Sequence, residues 1–278
     1  MQTLSYGSHK MEGLASCYLN PWALRTRDVE ALDVEQVRQQ LQAAGVTVPE
    51  YQIDRAGYEQ FMQRAAWPPD FYGGPERGLY YEKTLEHYVG AALLELNPED
   101  VLVDVAACGS PWYAIAPRLY GCEAYALDLN YPAGVHGHEI GADATATGLP
   151  DGFATKISVH CAFEMFENDA DIRFLREAAR LLRRGGKAVI VPLYMHHRLY
   201  YVESNPRLDR RGLDYSGAVR VWRTRHVRFS RKYSPRAFLS RLVAGAAALH
   251  PHVWWVANAQ QVHPDCYLRF ALTLQKLF

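Results

Sequence analysis

The stretch VLVDVAACGSPWYAIAPRLYGCEAYALD, from Val101 to Asp128, decides the fold of this chain. An apolar run leads into Asp104 and then into a series of small residues, Ala106 to Ser110. A helical stretch follows, and a second apolar segment, Ala124 to Leu127, ends at Asp128. This pattern predicts a strand, a tight turn, a helix and a second strand that ends in an acid.

Such a unit offers a ligand both bare backbone and the N-terminus of a helix. Asp128 lies 24 positions after Asp104, close to the spacing of roughly 20 residues expected for a carboxylate that accepts hydrogen bonds from ribose hydroxyls. We therefore predict that a nucleotide-like ligand binds at this turn, with Asp128 on its ribose.

Strands and helical segments alternate downstream of this unit. Short apolar runs near Glu139–Ile140, at 155–160 (TKISVH) and at 187–193 (KAVIVPL) predict strands, and Ile172 to Leu182 predicts a helix. This alternation implies right-handed crossovers and a doubly wound sheet. At the end of the chain, His252 to Val262 and Cys266 to Lys276 predict two strands joined by a short reversal. The predicted fold class is α/β, with a seven-stranded sheet that ends in an antiparallel hairpin.

The first 79 residues are predicted to be a helical, aromatic N-terminal extension, and residues 80–278 the ligand-binding domain. Helical spacing at 33–44 and 55–65 indicates two helices, and the Pro/Gly-rich segment 67–78 is the best boundary. The extension is expected to form a lid or a homodimer surface, or to pack as a stabilising element.

Composition narrows the class of protein. Thirty basic and thirty acidic residues leave no net charge, which argues against a general polyanion binder. The five cysteines are scattered and odd in number, which favours a reducing cytoplasm over a disulfide framework. No stretch resembles a signal peptide or reaches the ~20 apolar residues of a membrane span. We expect a cytoplasmic protein without a membrane partner.

Basic charge is concentrated in one place, from Arg207 to Arg236. This stretch largely overlaps a predicted basic insertion, residues 194–233, between the strand at 187–193 and the next helix. A solvated face, a site for an anionic small molecule, or an RNA surface would each explain it.

In order and spacing, these motifs resemble class I S-adenosylmethionine-dependent methyltransferases, which have a Rossmann-like fold. The segments are VLVDVAACGS, AYALDLN, GADATATGLPDGFATKISVHCAFEMFE and REAARLLRRGGKAVIVPLY, followed by the terminal hairpin. The resemblance covers about residues 80–278. It implies S-adenosyl-L-methionine as cofactor and methyl transfer to oxygen or nitrogen of a small polar acceptor, including anionic acceptors of the sugar or natural-product type.

The resemblance also implies a cofactor site. Asp104 and the turn after it would approach the methionine part, Asp128 the ribose, Leu129 and Asp143 the adenine, and the end of the fourth strand the sulfonium. The predicted cofactor-binding residues are Asp104, Ala106, Cys108, Gly109, Ser110, Asp128, Leu129, Asp143, Ala144, His160 and Cys161. The sequence departs from the family where alternate glycines are usual, because Ala106, Cys108 and Ser110 occupy those places.

His160, His196 and His197 are the candidate catalytic residues, because each follows a strand at the edge where ligands bind. A core role for His160 and a solvated loop for the pair are the alternatives. Methyl transfer needs a base only if the acceptor must lose a proton. No metal site is predicted, since His136, His138 and Glu139 do not have a recognised ligand spacing.

Two other functions are kept as alternatives. A NAD-dependent oxidoreductase could use the same strand-turn-helix unit, although the glycine pattern and the terminal hairpin argue against it. A non-catalytic cofactor-binding or RNA-binding protein would use the basic stretch, and nucleic acid is a partner only in that case.

Overall fold

The computed structural model describes residues 24–25, 31–107, 109–203, 217–222, 229–246 and 248–277. The described helices are Val34–Ala43 (α1), Arg55–Ala65 (α2), Gly78–Leu94 (α3), Trp112–Tyr120 (α4), Ala170–Leu181 (α5), Pro235–Ala237 (α6) and Ala259–Val262 (α7). Short 3-10 turns at Phe71–Gly73 and Phe163–Met165 and a π-helix at Phe238–Val243 complete the helical segments.

The strands form two sheets. In chain order they are Leu24–Arg25 (β1), Glu50–Tyr51 (β2), Val101–Val105 (β3), Glu123–His136 (β4), Glu139–Gly141 (β5), Ala154–His160 (β6), Leu182–Val191 (β7), Tyr200–Glu203 (β8), Val219–Trp222 (β9), Ser230–Lys232 (β10), Leu249–Val256 (β11) and Phe270–Lys276 (β12). The main sheet has eight strands in the order β2-β11-β12-β7-β6-β3-β4-β5.

The main sheet confirms the predicted α/β fold. Strands β3, β4, β6 and β7 pair in parallel, while β12 is antiparallel to both β7 and β11. All seven predicted strands are present, and β2 is an eighth, which the N-terminal extension contributes by pairing in parallel with Trp255 and Val256. β4 continues past Asp128 and returns against β5, where Val135 pairs with Ile140.

Helices cover both faces of this sheet, as a doubly wound arrangement requires. On one face, α5 buries Phe174 and Leu175 against a core that also contains Leu41 of α1. On the other face, α3 packs Leu85 and Val89 in a core shared with α2 and α4. The carboxyl ends of the central parallel strands are therefore the edge at which a ligand can bind.

The predicted terminal hairpin is antiparallel as expected, but its predicted bounds and its short reversal are wrong. β11 ends at Val256 and β12 begins at Phe270, with α7 and a long connection between them. Asn258 explains the early end of β11, because its side chain accepts from the backbone N–H of Ile53 (2.8 Å) and donates to the carbonyl of Ile53 (3.0 Å). The connection is thus tied to the N-terminal extension and cannot continue the ladder.

The helix that follows the basic insertion begins at Pro235, where the hydroxyl of Ser234 accepts from the N–H of Ala237 (3.1 Å). It then widens into the π-helix.

The predicted basic insertion contributes to the second sheet, ordered β1-β9-β8-β10. Not all of its charge faces solvent. Arg231 is fully buried, with its guanidinium 2.6 Å from the carboxylate of Asp171, and Lys232 lies over the ring of Tyr194. Arg236 is exposed. The other basic residues of the stretch apart from Arg220 lie outside the described residues, namely Arg207, Arg210, Arg211, Arg223, Arg225 and Arg228.

Of the predicted N-terminal extension, residues 1–23 and 26–30 lie outside the described part. The division into residues 1–79 and 80–278 stays a prediction. Among the described residues, no helix has both the length and the apolar character needed to cross a membrane.

Candidate functional site

The predicted cofactor residues lie where β3, β4, β5 and β6 end. Asp104 is buried inside this edge, where one oxygen of its carboxylate, Oδ1, accepts from the hydroxyl of Ser158 (2.7 Å) and from Nδ1 of His160 (3.1 Å). Ser158 was not predicted as a site residue, because its position inside β6 gives no sign of function. Asp104 is therefore held by the neighbouring strand and lies beneath the turn that follows it.

The turn after β3 brings backbone to the surface. Ala106 and Gly109 are exposed and have left-handed φ angles of 58° and 77°. A Cβ added to Gly109 would meet nothing within 4 Å, so open space lies beside this backbone. The hydroxyl of Ser110 accepts from the N–H of Trp112 (3.2 Å) at the start of α4. Cys108 lies outside the described residues.

The end of the first part of β4 presents a carboxylate beside apolar surface. Asp128 is 7% exposed, and its Oδ1 accepts from the backbone N–H (2.9 Å) and the side-chain amide (2.8 Å) of Asn130. The neighbouring Leu129 is 73% exposed. An oriented carboxylate next to an exposed leucine can recognise a ribose and an apolar base together. The pairing of Asp128 with Asn130 was not predicted.

Asp143 follows β5 and is exposed. Its Oδ1 accepts from the N–H of Thr145 (2.8 Å), which makes it a turn residue in this structure. Ala144 packs partly against the core. Both residues stand at the same edge as Asp128, because β5 pairs in parallel with β4 at Asp128 and Gly141.

The end of β6 is more buried than the sequence suggested. The side chain of His160 is 7% exposed, and the ring stacks on His87 of α3 with centroids 4.0 Å apart. Cys161 has a φ of 49°, and burial raises the pKa of its thiol to about 12. The cysteine is therefore a protonated thiol near neutral pH and not a nucleophile.

A buried polar cluster that the sequence did not reveal lies beside Cys161. Lys83 of α3 forms an ion pair with Glu86 (2.7 Å), and its ammonium donates to the hydroxyl of Tyr267 (3.0 Å). The thiol of Cys161 lies 3.6 Å from Glu164 and 3.6 Å from the hydroxyl of Tyr194. Burial holds the pKa of Glu86 well above its usual range. The charged residues of α3 were not predicted as part of a site, and their burial is what distinguishes them from an exposed helix face.

His196 and His197 lie after β7, with ring centroids 3.9 Å apart. His196 is buried, and its Nδ1 accepts from the N–H of Arg198 (3.1 Å), so its other ring nitrogen carries the proton when the ring is neutral. A cavity of about 520 Å³ is bounded by His197, Arg198 and three residues near the start of α1, namely Ala31, Asp33 and Gln36. The structure thus brings His197 to a cavity, with His196 buried against its ring. No described hydrogen bond or ring contact joins either of them to His160.

The comparisons with known proteins give one domain-level finding. Residues 103–190 match the family model described as a methyltransferase domain. No curated protein matches the sequence.

Among solved structures, the chain is similar to 1,6-didemethyltoxoflavin-N1-methyltransferase of Burkholderia thailandensis, with 16% identity, coverage of 83% of this chain and 94% of the other, and a TM-score of 0.44. It is also similar to geranyl diphosphate C-methyltransferase of Streptomyces coelicolor, with 13% identity, coverage of 88% and 97%, and a TM-score of 0.41. An S-adenosylmethionine-dependent methyltransferase of Mesorhizobium loti shares 18% identity over 68% and 97% of the chains, with a TM-score of 0.43.

The likenesses to solved structures are weak and carry no argument about the acceptor. The family match begins within β3 and ends within β7. This part of the sheet supplies Asp104, Asp128, Asp143 and His160. Residues 103–190 therefore match a methyltransferase domain, and this match supports the predicted resemblance to class I S-adenosylmethionine-dependent methyltransferases over that segment.

Proposed function

We propose that this protein transfers a methyl group from S-adenosylmethionine to an oxygen or nitrogen of a small polar acceptor, including anionic acceptors of the sugar or natural-product type. The observation that carries the proposal is the convergence of the turn at Ala106 and Gly109, the carboxylate of Asp128 and the acid Asp143 at one edge of a parallel sheet.

The residues at this edge fit the proposed cofactor. The open space beside Gly109 permits close approach of a ligand to the backbone. Asp128 supplies an acceptor for two ribose hydroxyls, and the exposed Leu129 supplies apolar surface for a flat base. The bound cofactor would supply an electrophilic methyl group, and the task of the protein is to align an acceptor atom with it and exclude water.

We place the acceptor near the cavity bounded by His197, Arg198 and the start of α1. Arg198 gives this cavity a positive charge that suits an acidic group on the acceptor, and the carboxylate of Asp33 suits a hydroxyl or amine of the same molecule. His160 is enclosed by α3 and β3, which supports a positioning role for it. Alignment of the acceptor atom with the methyl group, aided by His196 or His197, then promotes the transfer.

Calorimetric titration with S-adenosylhomocysteine and, separately, with NAD tests the cofactor proposal. We expect wild-type protein to bind S-adenosylhomocysteine and not NAD. Asp128→Ala should weaken binding roughly 10- to 100-fold, because it removes charged hydrogen bonds to the ribose. Glu123→Gln is the matched control, since Glu123 is an exposed acid at the opposite end of β4. Binding of NAD alone, or equal binding by both variants, would contradict the proposal.

The acceptor proposal is tested by the release of S-adenosylhomocysteine from S-adenosylmethionine with pairs of small acceptors. Each pair has the same hydroxyl or amine, with and without a carboxylate or phosphate. We expect turnover to be greater with the acidic member and to fall in Arg198→Gln. Faster turnover with the neutral members would rule out the anionic class.

A further inference from the structure

A buried carboxylate at the ligand edge of the main sheet has no positive partner. Glu164 lies in the 3-10 turn after β6 and is 7% exposed. Its Oε1 accepts from the thiol of Cys161 at 3.6 Å, and its Oε2 has no hydrogen-bond partner. None of the ion pairs in the described part of the chain includes Glu164, and Lys232 lies over the ring of Tyr194 instead. A buried charge without a partner is costly, so this carboxylate calls for a cation.

Lys83, the buried cation of the same cluster, cannot serve as that partner. Its ammonium donates to the carboxylate of Glu86 (2.7 Å) and to the hydroxyl of Tyr267 (3.0 Å). A side-chain hydrogen bond with Cys161 uses its remaining N–H. An ammonium has only three donors, so no hydrogen bond of Lys83 is left for Glu164.

The other two carboxylates of the cluster share a proton. Glu82 and Glu86 are one turn apart on α3, are fully buried, and form a side-chain hydrogen bond with each other. Two carboxyl groups can form that bond only if one of them is protonated, and burial raises the pKa of Glu86 well above its usual range. The pair therefore carries one negative charge, which Lys83 balances. The charge of Glu164 is left over.

Strand register places this charge beside the turn after β3. β3 and β6 pair in parallel with Val105 opposite Val159, so the turn at Ala106 and the segment at Cys161 leave the sheet side by side. In the proposed function the base lies at the end of β5 and the ribose at the end of β4, and β3 and β6 follow in the order of the sheet. The sulfonium is joined to the ribose through one carbon, so it belongs on the side of Glu164.

An organic cation fits this place better than a metal ion. Among the described residues, the acidic groups of the cluster do not bring three ligand atoms within 4.8 Å of one another. Tyr194, whose hydroxyl lies 3.6 Å from the thiol of Cys161, stacks on Tyr267 with ring centroids 6.3 Å apart. Aromatic faces attract a diffuse organic cation such as a sulfonium.

We infer that Glu164 is the counter-charge of the sulfonium group, a cofactor-binding residue by which this protein prefers S-adenosylmethionine to S-adenosylhomocysteine. The inference rests on the proposed function and deepens it, since Glu164 is not among the residues predicted from sequence. When the methyl carbon bonds to the acceptor, the sulfur keeps the electron pair of the broken C–S bond and becomes neutral. The product therefore loses the attraction of the carboxylate, which favours its release.

Calorimetric titration with three ligands that differ in charge at one position tests this inference. S-adenosylmethionine carries a sulfonium, sinefungin carries an ammonium group at that place, and S-adenosylhomocysteine has a neutral sulfur. Glu164→Gln should weaken binding of the two cationic ligands roughly 10- to 100-fold and change binding of S-adenosylhomocysteine less than about twofold. Equal losses for all three ligands would assign the carboxylate to the amino acid part of the cofactor, and equal retention would assign it to no part of it. Either result would overturn the inference.

Two variants control for the site of the change. Met165→Ala alters the exposed neighbour on the same turn, and Glu123→Gln removes an exposed acid at the opposite end of β4. Both should keep the wild-type ratio of affinities for S-adenosylmethionine and S-adenosylhomocysteine. A loss of that preference in Met165→Ala would show that the shape of the turn, and not the charge of Glu164, sets the preference.

Stability without ligand separates a binding role from a structural one. Because an unpaired buried charge is costly, Glu164→Gln should unfold at the same urea concentration as wild type or at a higher one. A lower midpoint would mean that a partner within the chain holds this carboxylate, which would overturn the inference. Failure of wild-type protein to bind any of the three ligands would overturn the proposed function and this inference together, whereas wild-type binding with an unaltered ratio in Glu164→Gln would overturn this inference alone.

Discussion

At the scale of single residues, the turn after β3 adopts a backbone conformation that one of its side chains disfavours. Ala106 has a φ of 58°, in the left-handed region, where the Cβ atom crowds the backbone. The family resemblance places glycine at this position. The chain thus keeps the shape of the turn and accepts a local strain for it.

We predict that Ala106→Gly stabilises the protein by about 0.5–1 kcal/mol, measured by urea unfolding. The relief of left-handed strain, about 1–2 kcal/mol, exceeds the entropy that glycine adds to the unfolded chain. Gly109→Ala is the matched control, because its φ is 77° and an added Cβ would meet nothing within 4 Å. It should destabilise the protein by about 1 kcal/mol through backbone strain alone. Two changes of the same sign would show that side-chain contacts, not φ, decide the effect.

The positions of individual site residues were predicted better than their hydrogen-bond partners. The apolar run before Asp104 and the one before Asp128 were enough to put both acids near the ligand edge of the sheet, but the expected strand ends were wrong, because β3 continues to Val105 and β4 to His136. The partners that hold these acids were not visible. Ser158 and Asn130 are ordinary residues, and their hydrogen bonds to Asp104 and Asp128 arise from strand register.

At the scale of elements, α5 is fixed to the segment after β5 by one carboxylate. Glu177 accepts from the backbone N–H of Thr147 (2.8 Å) and from its hydroxyl (2.5 Å), and it pairs with Arg180 at 2.7 Å. The hydrogen bond from Arg180 is the main cause that lowers the pKa of Glu177 to about 2.

We predict that this contact makes the free energy of unfolding depend on pH. A pKa of about 2, against roughly 4.3 in the unfolded chain, corresponds to about 2 kcal/mol after allowance for solvent around Arg180. The contribution is fully present above the unfolded value and is lost as the pH falls towards 2. Glu177→Gln should therefore lose stability at pH 6 and show a smaller further loss at pH 3 than wild type, by urea unfolding. Glu35→Gln, in an exposed pair with Arg38, should follow wild type, and parallel losses in all three proteins would refute the assignment.

Elements were predicted well where one periodicity dominated. α2 was placed at its observed bounds and β6 to within one residue, because helical spacing and an apolar run mark them. β11 was extended past Val256, where the contact of Asn258 with Ile53 stops it, and β12 was begun too early, at Cys266 instead of Phe270.

At the scale of the whole molecule, the N-terminal extension is joined to the end of the chain. β2 completes the main sheet beside β11, and the side chain of Asn258 makes two hydrogen bonds to Ile53. The doubly wound class of the sheet was predicted from sequence, because alternation of strands and helices constrains topology strongly. The pairing of β2 with β11 was not predicted, since a two-residue strand has no recognisable sequence pattern.

We predict that Asn258→Ala loosens the extension by about 1–2 kcal/mol, because the amide and carbonyl of Ile53 lose their partners. Hydrogen exchange should accelerate at Tyr51 and Ile53 while the amides of β3 and β6 keep their protection. Gln52→Ala, at an exposed neighbour, should leave exchange unchanged. Uniform acceleration across the sheet would mean that the extension does not open as a unit.

The stacked pair Trp67 and Trp112 has a further consequence for this molecule. Trp67 belongs to the segment before α3, Trp112 opens α4 directly after the turn at Ala106, and both contact His87. Indole emission responds to the distance and angle between stacked rings. The intrinsic fluorescence of the unmodified protein should therefore report a movement of the turn at Ala106 relative to the segment before α3.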